Sequence, residues 1–533
     1  MELASDIDRD FLLDGILNGF SLFPKDTILH SAEMHNYHSV TNALAKPKVE
    51  ATILDEISAG NYGILPTRPT IISALGSVPK PNSDELRLIH DCSMPHKKGV
   101  NSYIDIDKLQ YQTLQDATKQ IKKDYFLAKV DLRHAYRSVP VHPSNFPALG
   151  LKWRFSGDSH YTYLFDRRLP FGAKSSPGIF HRLTQSIRRM MLKRGFVVVV
   201  YLDDFLIIAE SELQCQQGFD TLCELLLCLG FQLSPSKLVR PTQKLVFLGI
   251  EIDTRKLSLA LPLDKLDDLK ALIASYIPKS RASKRELQAL AGKLNWASRV
   301  IFGGRTFLRR ILDLMNTMSR PSSRCLLTAE FKADIQWWHE FLDSFNGRCD
   351  FLDPNPVLDV YTDACNEGLG AYYLGDWLYL NFSVDISTLA NLAMPYKEAL
   401  AIIFAASKWC NSWRNRHIVV HTDNQAAAAA MINKGTTRNS VMMSFLRLLF
   451  WLSATYNFLI TAKYIPGKEN TIADCISRLH SPSSFLTFFN WLVTLSSFSQ
   501  VCSTPFYGHL SPSSYLFLCR KWWNIGSCSR FEQ

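Results

Sequence analysis

Short apolar runs separated by Gly, Pro and Ser dominate the chain between about Asn61 and Leu261. Runs of this kind, when they are rich in β-branched and aromatic residues, are typical of strands. They predict strands at Tyr125–Val130, Val197–Leu202 and Phe205–Ala209. A helix with a basic face is predicted over residues 175–194, and its cationic residues are Arg182, Arg188, Arg189, Lys193 and Arg194.

The pattern changes to helical spacing after Pro262. Ser283 and Glu286 have the spacing of a capping box, and the apolar positions that follow predict a helix packed along one face. After a Pro-bearing linker, residues 357–480 predict an independent α/β unit with the order strand, Gly-rich turn, strand, helix, strand, helix, strand, helix. No role is predicted for residues 1–58 or for the Ser- and aromatic-rich residues 481–533.

The charge balance favours a polyanionic partner. The chain has 59 Lys and Arg against 49 Asp and Glu, a net charge of +10, which suits nucleic acid. Its 12 cysteines include no CxxC pair, so neither a zinc knuckle nor a disulfide scaffold is expected. The acidic N-terminus has no apolar signal segment, and Phe485–Phe498 is short for a membrane span, so we expect an intracellular protein without membrane association.

Three aspartates lie where predicted strands end. Asp131 follows an apolar run, and Asp203 and Asp204 lie between two predicted strands, at the tip of a hairpin. Adjacent carboxylates repel each other unless water or a cation neutralises them. An ordinary hairpin turn is the alternative for the Asp-Asp pair taken alone. Together, the three carboxylates predict a site for a pair of Mg²⁺ ions, with Mn²⁺ as a substitute, suited to phosphoryl transfer.

Cations, an aromatic ring and a tight loop accompany these aspartates. Two cations on a predicted hairpin suit a triphosphate, a ring soon after Asp131 could abut a sugar 2′ position, and a small loop opens the basic helix. The residues expected to bind a nucleotide are Lys80, Arg87, Tyr136, Phe171, Gly172 and Lys237.

A second set of carboxylates lies in residues 357–480. Two follow predicted strands and two lie at the beginning of predicted helices, so one edge of a sheet could bring all of them together. Such a set suits a second pair of Mg²⁺ ions and attack of water on a phosphodiester. Taken singly, each is more often a helix cap or a surface acid. The residues are Asp363, Glu398, Asp423 and Asp474.

The ordered motifs resemble those of retroelement reverse transcriptases, and their amino-acid sequences are most similar to those of the DIRS-like retrotransposons. The matching stretches are Val78–Lys80, Arg87–Ser93, Lys129–Asp131, Val139–Pro143, Leu169–Gly172, Tyr201–Phe205 and Phe247–Ile250. Residues Tyr361–Ala364 and His421–Asn424, together with the second carboxylate set, resemble a ribonuclease H domain. The likeness runs from about residue 10 to residue 480.

This resemblance implies an α+β multidomain fold, in which a right-hand polymerase with fingers, palm and helical thumb is followed by an α/β ribonuclease H-like domain. The implied segments are an N-terminal extension (1–58), fingers and palm (59–260), thumb (261–320), connection (321–356), ribonuclease H-like domain (357–480) and tail (481–533).

The resemblance also implies a role for each site residue. Asp131, Asp203 and Asp204 would bind the metal ions of an RNA-directed DNA polymerase. Asp363, Glu398, Asp423 and Asp474 would bind those of a ribonuclease H acting on RNA–DNA hybrids. In the nucleotide site, the implied roles are a triphosphate grip (Lys80 and Arg87), a gate against ribonucleotides (Tyr136), a pocket lining (Phe171 and Gly172) and a proton donor to pyrophosphate (Lys237).

Tyr464 departs from the ribonuclease H pattern. The family commonly has a histidine ten residues before the last aspartate, where this chain has Tyr464. A phenol cannot exchange protons near neutral pH as an imidazole does. We therefore expect RNA cleavage that is slower than with histidine.

An RNA template and its primer are expected to bind along a basic groove, in a salt-dependent manner. Other classes remain open: a catalytically inactive or domesticated relic that only binds nucleic acid, or a polymerase of a long-terminal-repeat element or a pararetrovirus. No integrase or recombinase motif is found, so integration would need a separate recombinase. The residues expected to line the groove are Arg182, Arg188, Arg189, Lys284, Arg285, Arg305 and Arg309.

Overall fold

A computed structural model of the chain describes residues 4–79, 86–105, 109–345, 347–424, 432–433, 435, 437 and 439–488. The chain forms two compact units. The first comprises Met1–Leu248 with Asp253–Arg255, and the second comprises Gly249–Ile252 with Lys256–Gln533. None of the helices within the described ranges is both long enough and apolar enough to cross a membrane.

The described residues of the first unit form three sheets. A five-stranded sheet has the order β1-β3-β7-β8-β2, β4 and β5 form a hairpin, and β11-β6-β10-β9 form a further sheet in which β12 also pairs with β6. The strands are β1 (Ala32–Glu33), β2 (Tyr62–Leu65), β3 (Ile71–Ile72), β4 (Ala74–Pro79), β5 (Leu86–Asp91), β6 (Phe126–Arg133), β7 (Gly150–Trp153), β8 (Thr162–Asp166), β9 (Val197–Tyr201), β10 (Asp204–Ala209), β11 (Gln232–Leu233), β12 (Val239–Thr242) and β13 (Lys244–Phe247).

Two long helices pack against the sheet that contains β6, β9 and β10. They are the basic helix (Ser176–Lys193) and the helix Glu212–Cys228. The inner strands carry β-branched and aromatic residues whose side chains are buried, and apolar residues of both helices join the same core. The shorter helices of this unit are Arg9–Asn18, His38–Thr41, Lys46–Ser58 and Leu114–Thr118. The strands predicted from the sequence around residues 125–130 and 197–209 are confirmed, as is the basic helix.

The N-terminal extension is part of the first unit. Leu12, Phe20, Leu22 and Phe23 are buried in the same core as strands β6, β9 and β10. Apolar residues in segment 1–58 show only weak helical or strand periodicity. They do not form one continuous stripe along a helix, because they pack against residues that are distant in the chain.

The second unit begins with helices. Ser283 caps the helix Lys284–Ala297: Glu286 N donates to its Oγ (3.3 Å), and Ser283 N donates to the Glu286 carboxylate (2.7 Å). The predicted capping box is therefore confirmed. The remaining helices before residue 350 are Leu263–Tyr276, Arg309–Asn316 and Ala329–Phe345.

A buried ion cluster joins the helix Ala329–Phe345 to a helix of the α/β part of the same unit. Asp334 accepts hydrogen bonds from Arg310 Nη1 (3.1 Å) and from Arg447 Nε and Nη2 (3.2 and 3.3 Å). Asp334 and Arg447 are almost fully buried. Removing one partner of such a cluster costs about 3–5 kcal/mol, because the charges left behind have no water.

The remaining strands of the second unit are β14 (Ile250–Asp253), β15 (Ser258–Ala260), β16 (Arg281–Ser283), β17 (Arg324–Leu326), β18 (Arg348–Asp350), β19 (Val357–Ala364), β20 (Gly368–Tyr373), β21 (Asp376–Asn381), β22 (His417–Thr422) and β23 (Leu459–Tyr464). The last five form one sheet of order β21-β20-β19-β22-β23. In it, β19 to β21 are antiparallel neighbours, whereas β22 and β23 join in parallel.

Helices Phe382–Asp385, Met394–Trp409, Ser440–Tyr456 and Thr471–Ser477 accompany this sheet. The predicted succession of strands and helices in residues 357–480 is thus present within the second unit, but the prediction lacked β21. That strand alternates Trp377, Tyr379 and Asn381 with buried Leu378 and Leu380, and the prediction went from the second strand directly to a helix.

Candidate active sites

The first site forms where β6 and β10 lie side by side. Asp204 on β10 is directly opposite Asp131 on β6, and it is opposite Tyr201 on β9. The hairpin turn between β9 and β10 places Leu202 at a positive φ of 52°. Leu132 N donates to the carbonyl of Asp203 (3.2 Å), which holds the turn against β6. The register therefore gathers Asp131, Asp203 and Asp204 at one end of the sheet.

Two lysines neutralise two of these carboxylates. Lys237 Nζ donates to both oxygens of Asp131, at 3.1 and 3.4 Å. Lys129 Nζ lies 3.1 Å from Asp204 Oδ1. Lys129 is two residues before Asp131 and therefore on the same face of β6. The sequence prediction missed Lys129 as a site residue, although this spacing was the signal that could have identified it.

The site favours a cation. Burial raises the pKa of Asp131, and the neighbouring Asp204 and Asp203 raise it further, while Lys237 lowers it. Burial likewise raises the pKa of Asp203, and the Asp204 charge adds to the effect. Carboxylate oxygens are the ligands that Mg²⁺ prefers. Asp131, Asp203 and Asp204 thus fit the divalent ion predicted from the sequence.

A ring cluster and a glycine lie beside this site. The Tyr136 ring is 5.2 Å from the Phe171 ring and 5.4 Å from the Phe180 ring, centre to centre. The guanidinium of Arg87, on β5, lies 5.3 Å from the centre of the Phe171 ring. These contacts bring together Arg87, Tyr136 and Phe171 of the predicted nucleotide site. Lys80 of that prediction lies outside the described residues.

Gly172 is required by its surroundings. Its φ is +141°, and a Cβ at this position would lie 1.9 Å from the carbonyl oxygen of His90. His90 N donates to the carbonyl of Phe171 (3.0 Å), so this loop is bound directly to β5. Any larger residue would push the loop away from Arg87 and the ring cluster.

Three arginines of the basic helix have hydrogen-bond partners elsewhere in the first unit. Arg182 Nε donates to Asp8 (2.6 Å), and Arg189 donates to both Asp6 (2.6 Å) and Asp8 (2.8 Å). Arg188 Nε donates to the carbonyl of Val198 (3.0 Å). Arg182, Arg188 and Arg189, which the sequence predicts in a nucleic-acid groove, thus bind the N-terminal segment and the neighbouring strand, and Arg189 lowers the pKa of Asp6 to about 2.

The other predicted groove residues differ in their contacts. Lys284 Nζ donates to the carbonyl of Met318 (2.6 Å), and Arg309 pairs with Asp313 one turn away. Arg285 and Arg305 are exposed. Arg285 and Arg305 therefore offer exposed cations of the kind that a phosphate backbone needs.

The second site lies on the sheet of β19 to β23. Asp363 is on β19, and Asp423 follows the parallel neighbour β22, so the two lie at the same end. Glu398, in the second turn of helix Met394–Trp409, completes a group whose carboxylate oxygens lie within 4.8 Å of one another. Three of the four predicted residues therefore converge.

Asp474 lies next to this group without joining it. It is in the first turn of helix Thr471–Ser477 and accepts a hydrogen bond from Arg478 Nε (2.8 Å). Ser477 Oγ, on the same helix, donates to Asp363 Oδ2 (2.6 Å). The sequence prediction missed Ser477, which lies three residues after Asp474 and so on the same face of the helix.

Burial and mutual repulsion raise the pKa of two carboxyl groups of this set. They raise the pKa of Glu398 to about 9, through burial first and then the charges of Asp363 and Asp423. Burial, with Asp423 and Asp474, raises the pKa of Asp363 to about 7. Glu398 Oε2 is buried and has no hydrogen-bond partner among the described residues. An unpartnered carboxylate oxygen facing two others fits a bound divalent cation.

Comparison with known proteins identifies the region around the first site. Residues 75–252 match the family described as reverse transcriptase (RNA-dependent DNA polymerase). The chain is 25% identical over 425 residues to the Pol polyprotein from transposon opus of Drosophila melanogaster, covering 75% of this chain and 38% of that polyprotein. It is 23% identical to the polyprotein from transposon gypsy of the same fly, covering 72% and 37%.

A viral relative and two solved structures extend this picture. The genome polyprotein of Petunia vein clearing virus is 21% identical, covering 73% of this chain and 17% of that protein. Foamy viral protease-reverse transcriptase matches with a TM-score of 0.53 in complex with RNA/DNA hybrid (84% of this chain, 56% of that one). A second structure, with double-stranded DNA, has a TM-score of 0.51 (84% and 75%). Both structures are 17% identical to this chain.

These matches confirm the predicted fold class, a mixed α and β polymerase with a further domain. The chain spans less than two fifths of the length of the polyproteins that it matches. Residues 75–252 are a reverse transcriptase domain, in a chain homologous to the Pol polyproteins of retrotransposons and retroviruses.

Proposed function

We propose that the chain is an RNA-directed DNA polymerase with ribonuclease H activity, which copies a retrotransposon RNA into DNA. The observation that carries this proposal is the strand register that gathers Asp131, Asp203 and Asp204 at one end of the β6–β10 sheet. The family match of residues 75–252 gives this arrangement its chemistry.

At the polymerase site, Asp131, Asp203 and Asp204 would hold a pair of Mg²⁺ ions, and Mn²⁺ could replace them. Metal ions so held lower the pKa of an attacking 3′-hydroxyl and stabilise the charge of a departing pyrophosphate. Lys237 holds Asp131 by a hydrogen bond. Its ammonium group therefore lies at the carboxylate cluster, where it could also donate a proton to pyrophosphate.

The nucleotide would lie beside Arg87 and the ring cluster. Arg87 is exposed and carries a fixed positive charge, which suits a triphosphate, as would Lys80. The Tyr136 ring packs on Phe171 and Phe180, which fixes its position. A fixed ring at this place would clash with a ribose 2′-hydroxyl and admit dNTPs. Gly172 lets the loop beside this pocket lie against the His90 carbonyl, where a side chain has no room.

At the second site, Asp363, Glu398 and Asp423 would hold the ions that activate water and stabilise the leaving oxygen in ribonuclease H chemistry. Asp474 would be the fourth carboxylate of this site. It lies on the helix Thr471–Ser477, which the hydrogen bond from Ser477 to Asp363 joins to the site. The buried, unpartnered oxygen of Glu398 supports this role, since no described residue satisfies it. The substrate would be the RNA strand of an RNA–DNA hybrid.

The proposal also includes the bounds of the domains, the binding partners and the type of retroelement. We place fingers and palm at 59–260, the helical thumb at 261–320, the connection at 321–356 and the ribonuclease H domain at 357–480. An RNA template, a primer and their hybrid would be the partners, inside the cell. The residues of the motifs favour a DIRS-like element with a separate recombinase. A recombinase gene beside the coding sequence would distinguish such an element from a long-terminal-repeat element or a pararetrovirus.

A single reaction tests both activities. The full chain is incubated with an end-labelled RNA template, a DNA primer, dNTPs and Mg²⁺, and DNA extension and RNA fragments are followed on the same gel. We expect Asp131→Asn to lose extension and to keep cleavage of a preformed hybrid. Asp423→Asn should do the reverse. Two variants that each lose both activities would contradict the assignment to two separate sites, and a folded parent with neither activity would favour an inactive relic.

A further inference from the structure

A second group of potential metal ligands lies in the ribonuclease H-like part, outside the carboxylate site. The group consists of Cys365, Glu367 and His480, and one ligand atom from each lies within 4.8 Å of the others. Cys365 and Glu367 are in the turn between β19 and β20, and His480 follows the helix Thr471–Ser477. His480 Nε2 is 3.9 Å from Glu367 Oε2. The three therefore link the sheet to the end of that helix.

The immediate surroundings orient two of these ligands. Tyr379 Oη lies 3.3 Å from His480 Nδ1, so it can accept the Nδ1 proton and leave Nε2 directed at Glu367 and available to a metal. A hydrogen bond to the second ring nitrogen is the usual support of a metal-binding histidine. Gly368 N donates to Cys365 Sγ (3.2 Å), a contact that a bound thiolate would keep.

The accessibility of the group also suits an ion. Cys365 is 7% exposed, whereas Glu367 and His480 are open to solvent. A metal could thus reach the thiol from the surface and retain a water molecule in a fourth position. Three protein ligands with one open position is a common zinc arrangement.

The donor types differ from those of the carboxylate site. A thiolate and an imidazole select a borderline or soft ion such as Zn²⁺, while Mg²⁺ prefers carboxylate oxygens. We propose that Cys365, Glu367 and His480 form a zinc site that is separate from the site of Asp363, Glu398 and Asp423. On binding, the thiol proton of Cys365 is released to solvent, and the S–H contact to the carbonyl of Ser477 (3.3 Å) is exchanged for the bond to the metal.

A metal ion at this place would also affect the position of the helix Thr471–Ser477. Helix Thr471–Ser477 carries Asp474, and Ser477 on it holds Asp363. The backbone of this helix end packs directly on β20, where a Cβ at Gly370 would lie 2.4 Å from Ser477 N. An ion joining His480 to the β19–β20 turn would hold the end of this helix on the sheet. It would therefore stabilise the arrangement of Asp363 and Asp474 without touching either.

Cobalt binding to the purified full chain tests this proposal. Co²⁺ is added in the presence of excess Mg²⁺ after removal of metal ions. We expect one equivalent to produce a sulfur-to-cobalt charge-transfer band in the near ultraviolet, which one equivalent of Zn²⁺ abolishes. Cys365→Ser and His480→Ala should each lose the band. Cys475→Ser is the matched control, because Cys475 lies on the same helix outside the group, and it should retain the band.

Two outcomes would overturn the proposal: a parent protein without the band, or a band that persists in both Cys365→Ser and His480→Ala. Because Cys365 is buried, circular dichroism must show that its variant is folded; if it is not, the exposed His480 and Glu367→Gln variants decide the question. The readout does not depend on nucleic acid or on catalysis. Its failure is therefore distinguishable from failure of the proposed polymerase and ribonuclease H functions.

Discussion

Replacing Glu398 with Gln should remove a large part of the pH dependence of stability of the second unit, which contains residues 357–480. In the metal-free protein the pKa of Glu398 is raised from its ordinary value of 4.5 to about 9, first by burial and then by Asp363 and Asp423. Between these two values the folded state holds a proton that the unfolded state has released. The free energy of unfolding therefore falls as the pH rises through this window.

The size of the effect follows from the shift. One proton held only in the folded state changes the free energy of unfolding by about 1.4 kcal/mol per pH unit. Between about pH 5 and pH 8, Glu398 should therefore cost the parent about 4 kcal/mol. The Glu398→Gln variant has no such proton to hold. It should retain only the contribution of Asp363, whose pKa of about 7 gives the same slope up to about pH 7 and little above it.

Urea unfolding in EDTA, at several pH values between these limits, measures the difference. Trp409 and Trp413 are buried in the core of this unit and report its unfolding by fluorescence. Asp359→Asn, at an exposed position on β19, is the control and should follow the parent. Mg²⁺ should flatten the parent profile, because a bound ion favours the ionised carboxylates. Parallel profiles for the parent and Glu398→Gln would refute the reasoning.

Three further predictions concern the two sites. Gly172→Ala should raise the KM for dNTPs in primer extension and leave hybrid cleavage unchanged. The new Cβ would meet the His90 carbonyl, and the φ of +141° adds about 1–3 kcal/mol of strain. An unchanged KM would contradict this prediction. Lys129→Met should lower the Mg²⁺ concentration needed for half-maximal extension several-fold, because the Asp204 carboxylate loses its counter-charge. A Lys129→Arg control should behave like the parent. A higher Mg²⁺ concentration for half-maximal extension by Lys129→Met would count against the ion pair. Tyr464→His should speed RNA cleavage, measured as single-turnover rate on a labelled hybrid, because an imidazole exchanges protons near neutral pH; no gain would remove Tyr464 as the cause of slow cleavage.

The local parts of the fold could be predicted from the sequence. Strands β9 and β10 are runs of Val, Ile, Leu and Phe interrupted only by Asp203 and its neighbours, so their type and the hairpin between them follow from the pattern. The convergence of Asp363, Glu398 and Asp423 was also predicted, because strand ends at one edge of a sheet lie together. These features depend on residues close in the chain or on general sheet geometry.

The remaining features depend on contacts between distant residues. Arg182 and Arg189 belong to a basic helix face, and nothing in their own segment indicates that Asp6 and Asp8 neutralise them. The pairing of Lys129 with Asp204 joins two different strands and follows only from the register of β6 on β10. Sequence patterns predict an element and its buried face, whereas the partner of an exposed charge is fixed by the tertiary structure.

Primer extension on an RNA template, with dNTPs and Mg²⁺, tests the central claim most directly. The parent is compared with an Asp203→Asn/Asp204→Asn double variant, which removes two carboxylate charges from the hairpin tip while keeping the size of the side chains. We predict metal-dependent DNA synthesis by the parent and none by the folded variant. Synthesis that persists in the variant, or its absence in a folded parent, would contradict the assignment of polymerase chemistry to this site.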